Sequence, residues 1–516
     1  MIKQKSRRVR LRCKTMVDPR NATITSGLAF AMPQLQPMRP DLSANGVLKD
    51  AIDRMVSCLG ADESSNLVRT FIVDFGAKTD PQRPTPIPFG TACSGSELYL
   101  STLKYVEIQL RRKGVYVTFV HMWAIEKMPS KRAWILANWQ PRRMFGDIIE
   151  VAANDETLDY VSGGNKALEP IVIMIGGTSC KDASRLNVHH RHRMSVMQSG
   201  SETTGSTFAA FMAIAKKMKP KRIYLENVAS LKDKPVKLET ESERQLSNFE
   251  SVHMIVNEHG RTFIHEEFEP LHVGIPVRRR RIYMEGREAN DDEPISVVRE
   301  RRLQASLTRT MSSIFRASGP VSLDDLLLPE YDEMAEDWLV VNKKTKADID
   351  GSGQPEDPDW QWPVEWHSQH AALWKEIPFA VDKALHRAAF EDNCFFHAMC
   401  PREQDVLLMQ LCKQPFAQSI SSKDAFGLEA TAERIAMGST VSIPCVVPNS
   451  RIWLASRRRF LLGIEGLLLQ GCDPSDLCAL RPQRWSNHFL MNLSGNAFCA
   501  VQFAAFCVAS LSTRAD

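Results

Sequence analysis

Cys180 stands where an apolar strand would release the chain into an open turn. Residues 171–175 (IVIMI) are continuously apolar, and Gly176 and Gly177 follow them directly. Such a run predicts a buried parallel strand, and the two glycines predict its exit turn. A cysteine here is either a small buried side chain or a nucleophile, because open α/β sheets carry their chemistry at the carboxyl ends of parallel strands.

Carboxylates follow three other apolar segments and would meet Cys180 at the same edge of a sheet. Glu126 ends the segment HMWAIE, Asp147 precedes the pair II, and Glu226 ends the segment IYLE. A carboxylate at a strand end can accept two hydrogen bonds from a ribose diol. Partial desolvation would raise the pKa of Glu226 and let it hold a proton, although a salt-bridged structural Glu is the other interpretation.

An arginine pair and a glycine turn add further polar groups. Alternate side chains of an extended strand share a face, so Arg279 and Arg281 in the segment VRRRR would lie side by side and could hold a carbonyl or a phosphate. Gly95 lies in the turn PFGTACSGSELY at residues 88–99, ahead of a helical pattern. A turn of this kind suits close approach of the backbone to a cofactor.

The elements that must position these groups alternate between residues 86 and 285. Short apolar runs and helical patterns follow one another there, which is typical of βαβ units and a parallel sheet. We predict strands at 115–123, 171–175, 222–225 and 281–284, and a helix at 207–219 that ends at Pro220. From residue 286 to 440 the alternation is lost, which predicts a separate lobe or a large insertion.

Composition limits the class of protein. A chain of 516 residues with 43% hydrophobic and 24% charged residues is long enough for two or more globular domains. The net charge of +4 is small for this length, so contact with a nucleic acid would depend on local basic patches. No apolar stretch reaches the roughly 18–20 residues that span a bilayer, so no membrane partner is expected.

The 12 cysteines show no regular framework, which favours free thiols in a reducing compartment over a disulfide scaffold. Cys394, His397 and Cys400 have the spacing closest to a metal site, but they lack a fourth ligand, and we predict no metal. Residues 1–17 carry basic side chains and no acid. The alternatives for this segment are a nuclear address, an organelle transit segment and a disordered arm, and the localisation that we predict is the nucleus.

In chain order these features resemble the cytosine-5 DNA methyltransferases. The family pattern has a glycine turn, acids after its second and third strands, a catalytic Cys after the fourth, a Gly-x-x-Phe helix, Glu-Asn-Val and Gln-x-Arg-x-Arg. The matching positions here are Gly95, Glu126, Asp147, Cys180, the helix from 205 to 220, residues 226–228, and Arg279 with Arg281. Residues 457–474 are similar to the family's Leu-x-x-x-Glu-x-x-x-Leu-Gln-Gly helix, and residues 493–498 to its closing Gly-Asn-Ala-Val element.

The resemblance implies an α/β, Rossmann-like fold for an S-adenosylmethionine-dependent methyltransferase domain with a separate target-recognition lobe. It implies four regions: a partly disordered N-terminal extension (1–85), the catalytic domain (86–285), the target-recognition lobe (286–440) and a C-terminal segment that completes the catalytic domain (441–516). The apolar run after Asn496 is then expected to pack back on the sheet, with Asn496 beside the turn at Gly95.

The resemblance also implies roles for the residues. Cys180 would add to a cytosine flipped out of double-stranded DNA, Glu226 would bind its N3 and amino edge, and Arg281 would hold O2 with support from Arg279. S-adenosylmethionine would contact Gly95, Glu126, Asp147, Ile148 and Asn496. Residues 185–194 (RLNVHHRHRM) occupy the place of the family's mobile active-site loop and suit phosphate contact, with a solvated loop as the alternative.

Several positions depart from the family pattern. Ser179 replaces the usual Pro before the nucleophile, and Val277 replaces the usual Gln. Cys93 stands at a common Phe, and Ser96 with Glu97 at glycines. Two alternative functions follow: the same chemistry on tRNA, and a non-catalytic paralogue that binds cofactor or DNA. The chemical residues Cys180, Glu226 and Arg281 are intact, which favours the enzyme.

Overall fold

The computed structural model describes residues 47–93, 95–185, 196–200, 202–234, 246–288, 296–328, 390–397, 442–448, 452–454, 457–473 and 485–514, with single residues and short runs between 371 and 439. The basic segment at 1–17, all but the first residue of the loop at 185–194, the four tryptophans at 360, 362, 366 and 374, and Cys400 lie outside the described residues.

The helices are α1 (Val47–Ser57), α2 (Ala61–Arg69), α3 (Leu100–Arg112), α4 (Pro129–Asn138), α5 (Ile148–Ala153), α6 (Val196–Ser199), α7 (Glu202–Met218), α8 (Asn248–Glu258), α9 (Val297–Ala317), α10 (Cys394–His397), α11 (Gly463–Leu468), α12 (Asn487–Asn496) and α13 (Ala500–Leu511). The strands are β1 (Thr85–Ala92), β2 (Val117–Ile125), β3 (Arg143–Phe145), β4 (Thr157–Asp159), β5 (Gly164–Lys166), β6 (Ile173–Gly176), β7 (Arg222–Val228), β8 (Arg261–Phe268), β9 (Arg281–Glu288), β10 (Ser419–Ser421), β11 (Gly438–Ser439), β12 (Ile452–Leu454) and β13 (Arg459–Phe460).

Seven strands form the central sheet in the order β3-β2-β1-β6-β7-β9-β8. The first five are parallel, whereas β9 runs antiparallel to both β7 and β8. The chain order reverses at β1, which lies between β2 and β6, so a crevice opens at the carboxyl ends of these strands. The predicted α/β, Rossmann-like fold is confirmed, and each predicted strand overlaps an observed strand.

Helices cover both faces of this sheet. On one face α1, α3, α9 and α13 contribute buried residues to a core shared with strand residues such as Tyr224 and Tyr283. On the other face α5, α7 and α8 pack on Met174 and Ile223. Burial on both faces explains why the central strands are continuously apolar in sequence rather than alternating.

Helix α13 packs into the centre of the first of these cores. All of its 12 residues are buried, and Phe503 contacts Tyr99 and Tyr224 while Phe506 contacts Tyr283. Contrary to the sequence-based expectation, the stretch Asn487–Leu511 is long and apolar enough to span a bilayer, with a mean hydropathy of 1.4 in an 18-residue window. In this structure 94% of that window is buried inside the protein. The C-terminal run therefore returns to the sheet, as expected from the resemblance.

Two boundaries differ from the sequence-based expectation. Residues 47–57 of the expected N-terminal extension form α1, whose Leu48, Ile52 and Met55 are part of the core on the sheet. Helix α9, which the sequence assigned to the lobe, places Leu303 and Leu307 in that same core. Both helices are amphipathic and bury their apolar faces on the sheet, a contact that local sequence pattern does not specify.

The boundary expected at residue 440 also falls inside a unit of structure. Strands β10 and β11 precede it and β12 and β13 follow it, and the four form one small antiparallel sheet in the order β11-β10-β12-β13. Val277 pairs with Ile443 in an isolated bridge, which ties this region to the approach to β9. The expected boundary at residue 440 thus divides one small antiparallel sheet.

Candidate active site

The chain is closely packed where it leaves β6, at Gly176 and Gly177. A Cβ atom on Gly176 would collide with the ring of Phe211 in α7, and one on Gly177 would collide with Phe498 and the carbonyl of Cys93. The two glycines therefore let the strand end pass between α7 and the C-terminal segment. The chain reaches Cys180 four residues after Gly176, at the carboxyl edge of the sheet.

Helix α7 fixes the loop that carries Cys180. The backbone N–H of Ser179 donates to the Thr207 hydroxyl at 3.1 Å, and Asp182 and Thr204 exchange two hydrogen bonds, at 3.0 and 2.8 Å. A proline at position 179 has no N–H and would lose the first of these bonds. Ser179, which departs from the family pattern, is thus used to fasten the loop to α7.

Glu226 and Arg281 join Cys180 from the two strands next along the sheet. Glu226 lies near the end of β7, and Arg281 begins β9. The Arg281 Nε lies 3.0 Å from Glu226 Oε1, and the two side chains are 13% and 11% exposed. Asn227 donates to both the carbonyl and the hydroxyl of Thr178 at 3.3 Å, which joins the end of β7 to the cysteine loop.

The electrostatics of this cluster couple the three groups. Burial raises the pKa of the Cys180 thiol, Arg281 opposes that shift, and Glu226 adds to it. Burial also raises the pKa of Glu226, against the opposing charges of Arg281 and Arg279. Within the described part of the chain, the buried Glu226 Oε1 makes the ion pair but no aligned hydrogen bond. A donor on a bound molecule would satisfy it.

Arg279 is held by the backbone of the C-terminal region. Its guanidinium is buried and donates to three backbone carbonyls of the C-terminal region, those of Val446 (2.7 Å), Gly495 (3.0 Å) and Ala497 (2.7 Å). Its two terminal nitrogens are therefore engaged by the protein, and they fasten the C-terminal segment beside the active-site edge. The expected alternation is still seen, because Arg280 is exposed and pairs with Glu267.

The residues expected to bind cofactor lie at the ends of β1, β2 and β3. Gly95 has φ of +70° and approaches Asn496 so closely that a Cβ would meet the Asn496 carbonyl oxygen. Glu126 is buried, and burial raises its pKa. Asp147 pairs with Lys127 at 2.8 Å and accepts from the Ile149 N–H as the N-cap of α5.

The Cys93 thiol lies within the electrostatic influence of Glu126 and Asp147. Burial raises the pKa of this thiol to about 12, and the charges of Glu126 and Asp147 add to the shift, so both acids lie near this turn. Ile148 is buried at the start of α5, and Asn496 uses its side-chain amide to bond the carbonyl of Asn492. It is thus the backbone of Asn496, rather than its side chain, that contacts the turn.

Four residues in or around the turn were not assigned a role from the sequence. Glu97 is buried with φ of +57°, and it accepts a short hydrogen bond from the Thr91 hydroxyl. The His121 Nε2 lies 3.0 Å from the same hydroxyl, and burial lowers the pKa of His121 to about 3. Trp134 and Trp139 each donate to the Ser96 carbonyl at 3.0 Å. The sequence offered one sign of these contacts, because Ser96 and Glu97 stand where the family pattern has glycines.

Comparison with known proteins gives a family, a curated relative and similar solved structures. The family model of the C-5 cytosine-specific DNA methylases matches residues 101–356. A DNA (cytosine-5-)-methyltransferase, DMT5, of Cryptococcus neoformans var. grubii is 24% identical over 441 residues, which cover 82% of this chain and 17% of the relative. The chain thus spans less than a fifth of that curated relative's length.

Solved structures that are similar include the S. pombe Dnmt2 methyltransferase, with 12% identity and a TM-score of 0.39 over 83% of this chain and 98% of the other. The Entamoeba histolytica methyltransferase EhMeth has 11% identity and a TM-score of 0.38, over 83% and 98%. Because both TM-scores are below 0.5, the fold assignment depends on the strand order and connections described above.

Proposed function

The chain belongs to the C-5 cytosine-specific DNA methylase family, and from this premise we propose that it transfers a methyl group from S-adenosylmethionine to C5 of a cytosine flipped out of duplex DNA. The observation that carries the proposal is the cluster of Cys180, Glu226 and Arg281 at the carboxyl edge of the sheet. A nucleophile, a carboxyl with an open oxygen and a guanidinium meet there, as addition to a pyrimidine requires.

Cys180 makes and then breaks the covalent bond. Its thiolate adds to C6 of cytosine, which forms an S–C6 bond and moves the electron pair of the C5–C6 double bond to C5. S-adenosylmethionine, when bound, would supply the methyl group: C5 would attack the methyl carbon, the bond from that carbon to the positively charged sulfur would break, and the neutral thioether would leave. Loss of the C5 proton to solvent and departure of the Cys180 thiolate then restore the double bond.

Glu226 and Arg281 stabilise the charge that develops on the ring. With its pKa raised by burial, the Glu226 carboxyl holds a proton more readily and donates it toward N3, while its open Oε1 accepts from the amino group. Arg281 donates to O2. Arg279 is a positioning residue, because its bonds go to the C-terminal segment.

The cofactor fits the edge formed by β1, β2 and β3. Gly95 lets the turn pack closely against the Asn496 carbonyl, and the buried Glu126 would present a carboxylate to a ribose diol. Asp147 and Ile148 at the start of α5 would lie along the adenine. Asn496 closes the turn from the C-terminal side through its backbone.

Duplex DNA is the proposed substrate, with tRNA tested beside it. A cytosine in a duplex must leave the base stack to reach Cys180, at a cost of roughly a few kcal/mol. We propose that the region from 286 to 440, beyond the part that packs on the sheet, selects the target sequence. A nuclear location is proposed from the basic residues at 1–17, which lie outside the described residues.

A mechanism-based trap tests the proposal. Duplex DNA with 5-fluorocytosine at target positions should form a stable covalent complex with the protein in the presence of S-adenosylmethionine, because fluorine at C5 prevents the final elimination. Cys180→Ser should form none, whereas Cys58→Ser, at a thiol remote from the cluster, should trap as the wild type does. Methyl transfer by Cys180→Ser near the wild-type rate would refute the role of Cys180, and transfer to tRNA alone would refute the DNA assignment.

A further inference from the structure

Helix α9 carries arginines on the face that it turns away from the sheet. Arg302, Arg309 and Arg316 are exposed and lie seven residues apart. Seven residues bring an α-helix back to nearly the same face after about 10.5 Å, so the three guanidiniums form one row about 21 Å long. This row is the arginine stripe.

The stripe has no acidic counterpart on its own helix. The one carboxylate of α9, Glu300, points into the protein, where it pairs with His253 and accepts from Asn257. In the described part of the chain none of the three arginines forms an ion pair, and Arg316 donates only to the Ser313 hydroxyl, at 3.3 Å. Their positive charge is therefore free to attract an anion from solution.

The register of the sheet places one end of the stripe beside the active-site edge. Phe315 packs on Phe268 with ring centroids 5.4 Å apart, and Phe268 is the register partner of Arg281. Arg316 is thus next to the row of the sheet that contains the proposed O2-binding arginine. The Thr308 hydroxyl donates to the Glu266 carboxylate. Glu266 is the register partner of Tyr283 in β9, and Tyr283 is also the register partner of Glu226 in β7. Arg309 therefore lies level with Glu226 along the sheet.

We infer that the arginine stripe binds the phosphate backbone of the substrate nucleic acid outside the active site. The inference rests on the proposed function, because it extends the footprint of that substrate from the edge at Arg281 along α9. Arginine and hydroxyl side chains are the usual donors to phosphate. Ser306 and Ser313 lie between the arginines along the same exposed side of the helix.

A protein partner fits this face less well. Protein interfaces have an apolar core surrounded by a polar rim. The large apolar side chains that α9 exposes are Val297 and Val298 at its first turn, and the residues beside the arginine stripe include Ala305, Ser306 and Ser313. Such a surface matches a charged, hydrated backbone.

The salt dependence of binding tests the inference. Arg302→Gln, Arg309→Gln and Arg316→Gln are combined, because glutamine keeps helix propensity while it removes the charge. Binding of a duplex of about 30 base pairs is measured over a series of salt concentrations. Each lost phosphate contact should lower the slope of log K against log salt by about 0.9. We expect a loss of two to three in slope, an affinity reduced more than about 10-fold at physiological salt, and kcat at saturating DNA within about twofold.

A second triple variant controls for net charge. Arg83, Arg111 and Lys216 are exposed at the opposite, amino end of the parallel strands, and their change to Gln removes the same three charges. The control should keep the wild-type slope. An equal slope in both triple variants would overturn the inference while leaving the proposed function intact. A wild-type protein that binds no nucleic acid in this measurement would overturn both.

Discussion

At the scale of single residues, the active site depends on neighbours that compensate for its unusual positions. Ser179 replaces a proline of the family pattern, and its backbone N–H donates a hydrogen bond to the Thr207 hydroxyl. Glu97 occupies a left-handed conformation that glycine prefers, and Thr91 holds it there. In both cases a threonine on a neighbouring element fixes the backbone conformation, which proline or glycine would favour at the same position in the family pattern.

The reactivity of Cys180 should depend on pH through Arg281. The thiolate is the reactive form, and burial raises the pKa of Cys180, so its alkylation rate should rise with pH beyond the range of an ordinary thiol. Arg281 lowers that pKa, so Arg281→Met should move the profile to higher pH. Iodoacetamide labelling of Cys180, followed by peptide mass spectrometry, measures this.

The neighbouring arginine is the control for this experiment. Arg280 is exposed and pairs with Glu267, so Arg280→Met should leave the Cys180 profile unchanged. Identical profiles for Arg281→Met and the wild type would show that Arg281 does not act on the thiol.

At the scale of elements, the site is formed where five parallel strands end together. Gly95, Glu126, Asp147, Cys180 and Glu226 are at or just beyond the carboxyl ends of β1, β2, β3, β6 and β7. The antiparallel strand β9 enters the same edge with its first residue, Arg281. Parallel strands bring residues from distant parts of the chain to one line, and the antiparallel strand adds a residue from its beginning instead of its end.

The strand exit at Gly177 should tolerate no side chain. Gly177→Ala would press a methyl group against Phe498 and the Cys93 carbonyl, and overpacking of this kind typically costs about 1–3 kcal/mol. We expect a lower free energy of unfolding in urea and a loss of methyl transfer. Gly164→Ala is the matched control, because nothing lies within 4 Å of its added Cβ. Equal stability of the two variants would contradict the close packing described for Gly177.

At the scale of the whole molecule, two buried arginines join distant segments. Arg459 and Glu465 are both fully buried, with Nη2 to Oε1 at 2.8 Å. Glu465 also accepts from the Leu328 N–H at 2.8 Å, and Arg459 donates to the Leu328 carbonyl at 3.2 Å. The pair therefore joins Leu328 to the segment from Arg459 to Glu465. Arg279 performs the same task for residues 446–497.

Removing one partner of the buried pair should lower the free energy of unfolding more than removing both charges does. Arg459→Met leaves Glu465 as an uncompensated buried carboxylate, which typically costs about 3–5 kcal/mol. The double variant Arg459→Met with Glu465→Gln keeps a carbonyl acceptor for Leu328 and removes both charges, so its loss should be smaller. Urea unfolding at neutral pH measures both. A double variant less stable than Arg459→Met would contradict the buried-charge explanation.

The amino-acid sequence by itself determined the α/β class, the approximate strands and the order of the chemical groups. These features are local, because an apolar run, a glycine turn and an acid at a strand end are each specified within a few residues. The parallel arrangement then requires that Glu126, Asp147, Cys180 and Glu226 meet at one edge. Their order along the chain carried the resemblance to the cytosine-5 DNA methyltransferases, and that resemblance supplied the predicted reaction class.

Only the tertiary structure decided which partners these groups have. The role of Arg279 depends on the Ala497 carbonyl, 218 residues further along the chain, and that of Ser179 on Thr207 in a later helix. The packing of α1 and α9 on the sheet likewise depends on which apolar faces meet. Such contacts are selected by burial and hydrogen bonding among distant segments, for which the local periodicity of a single sequence carries no signal.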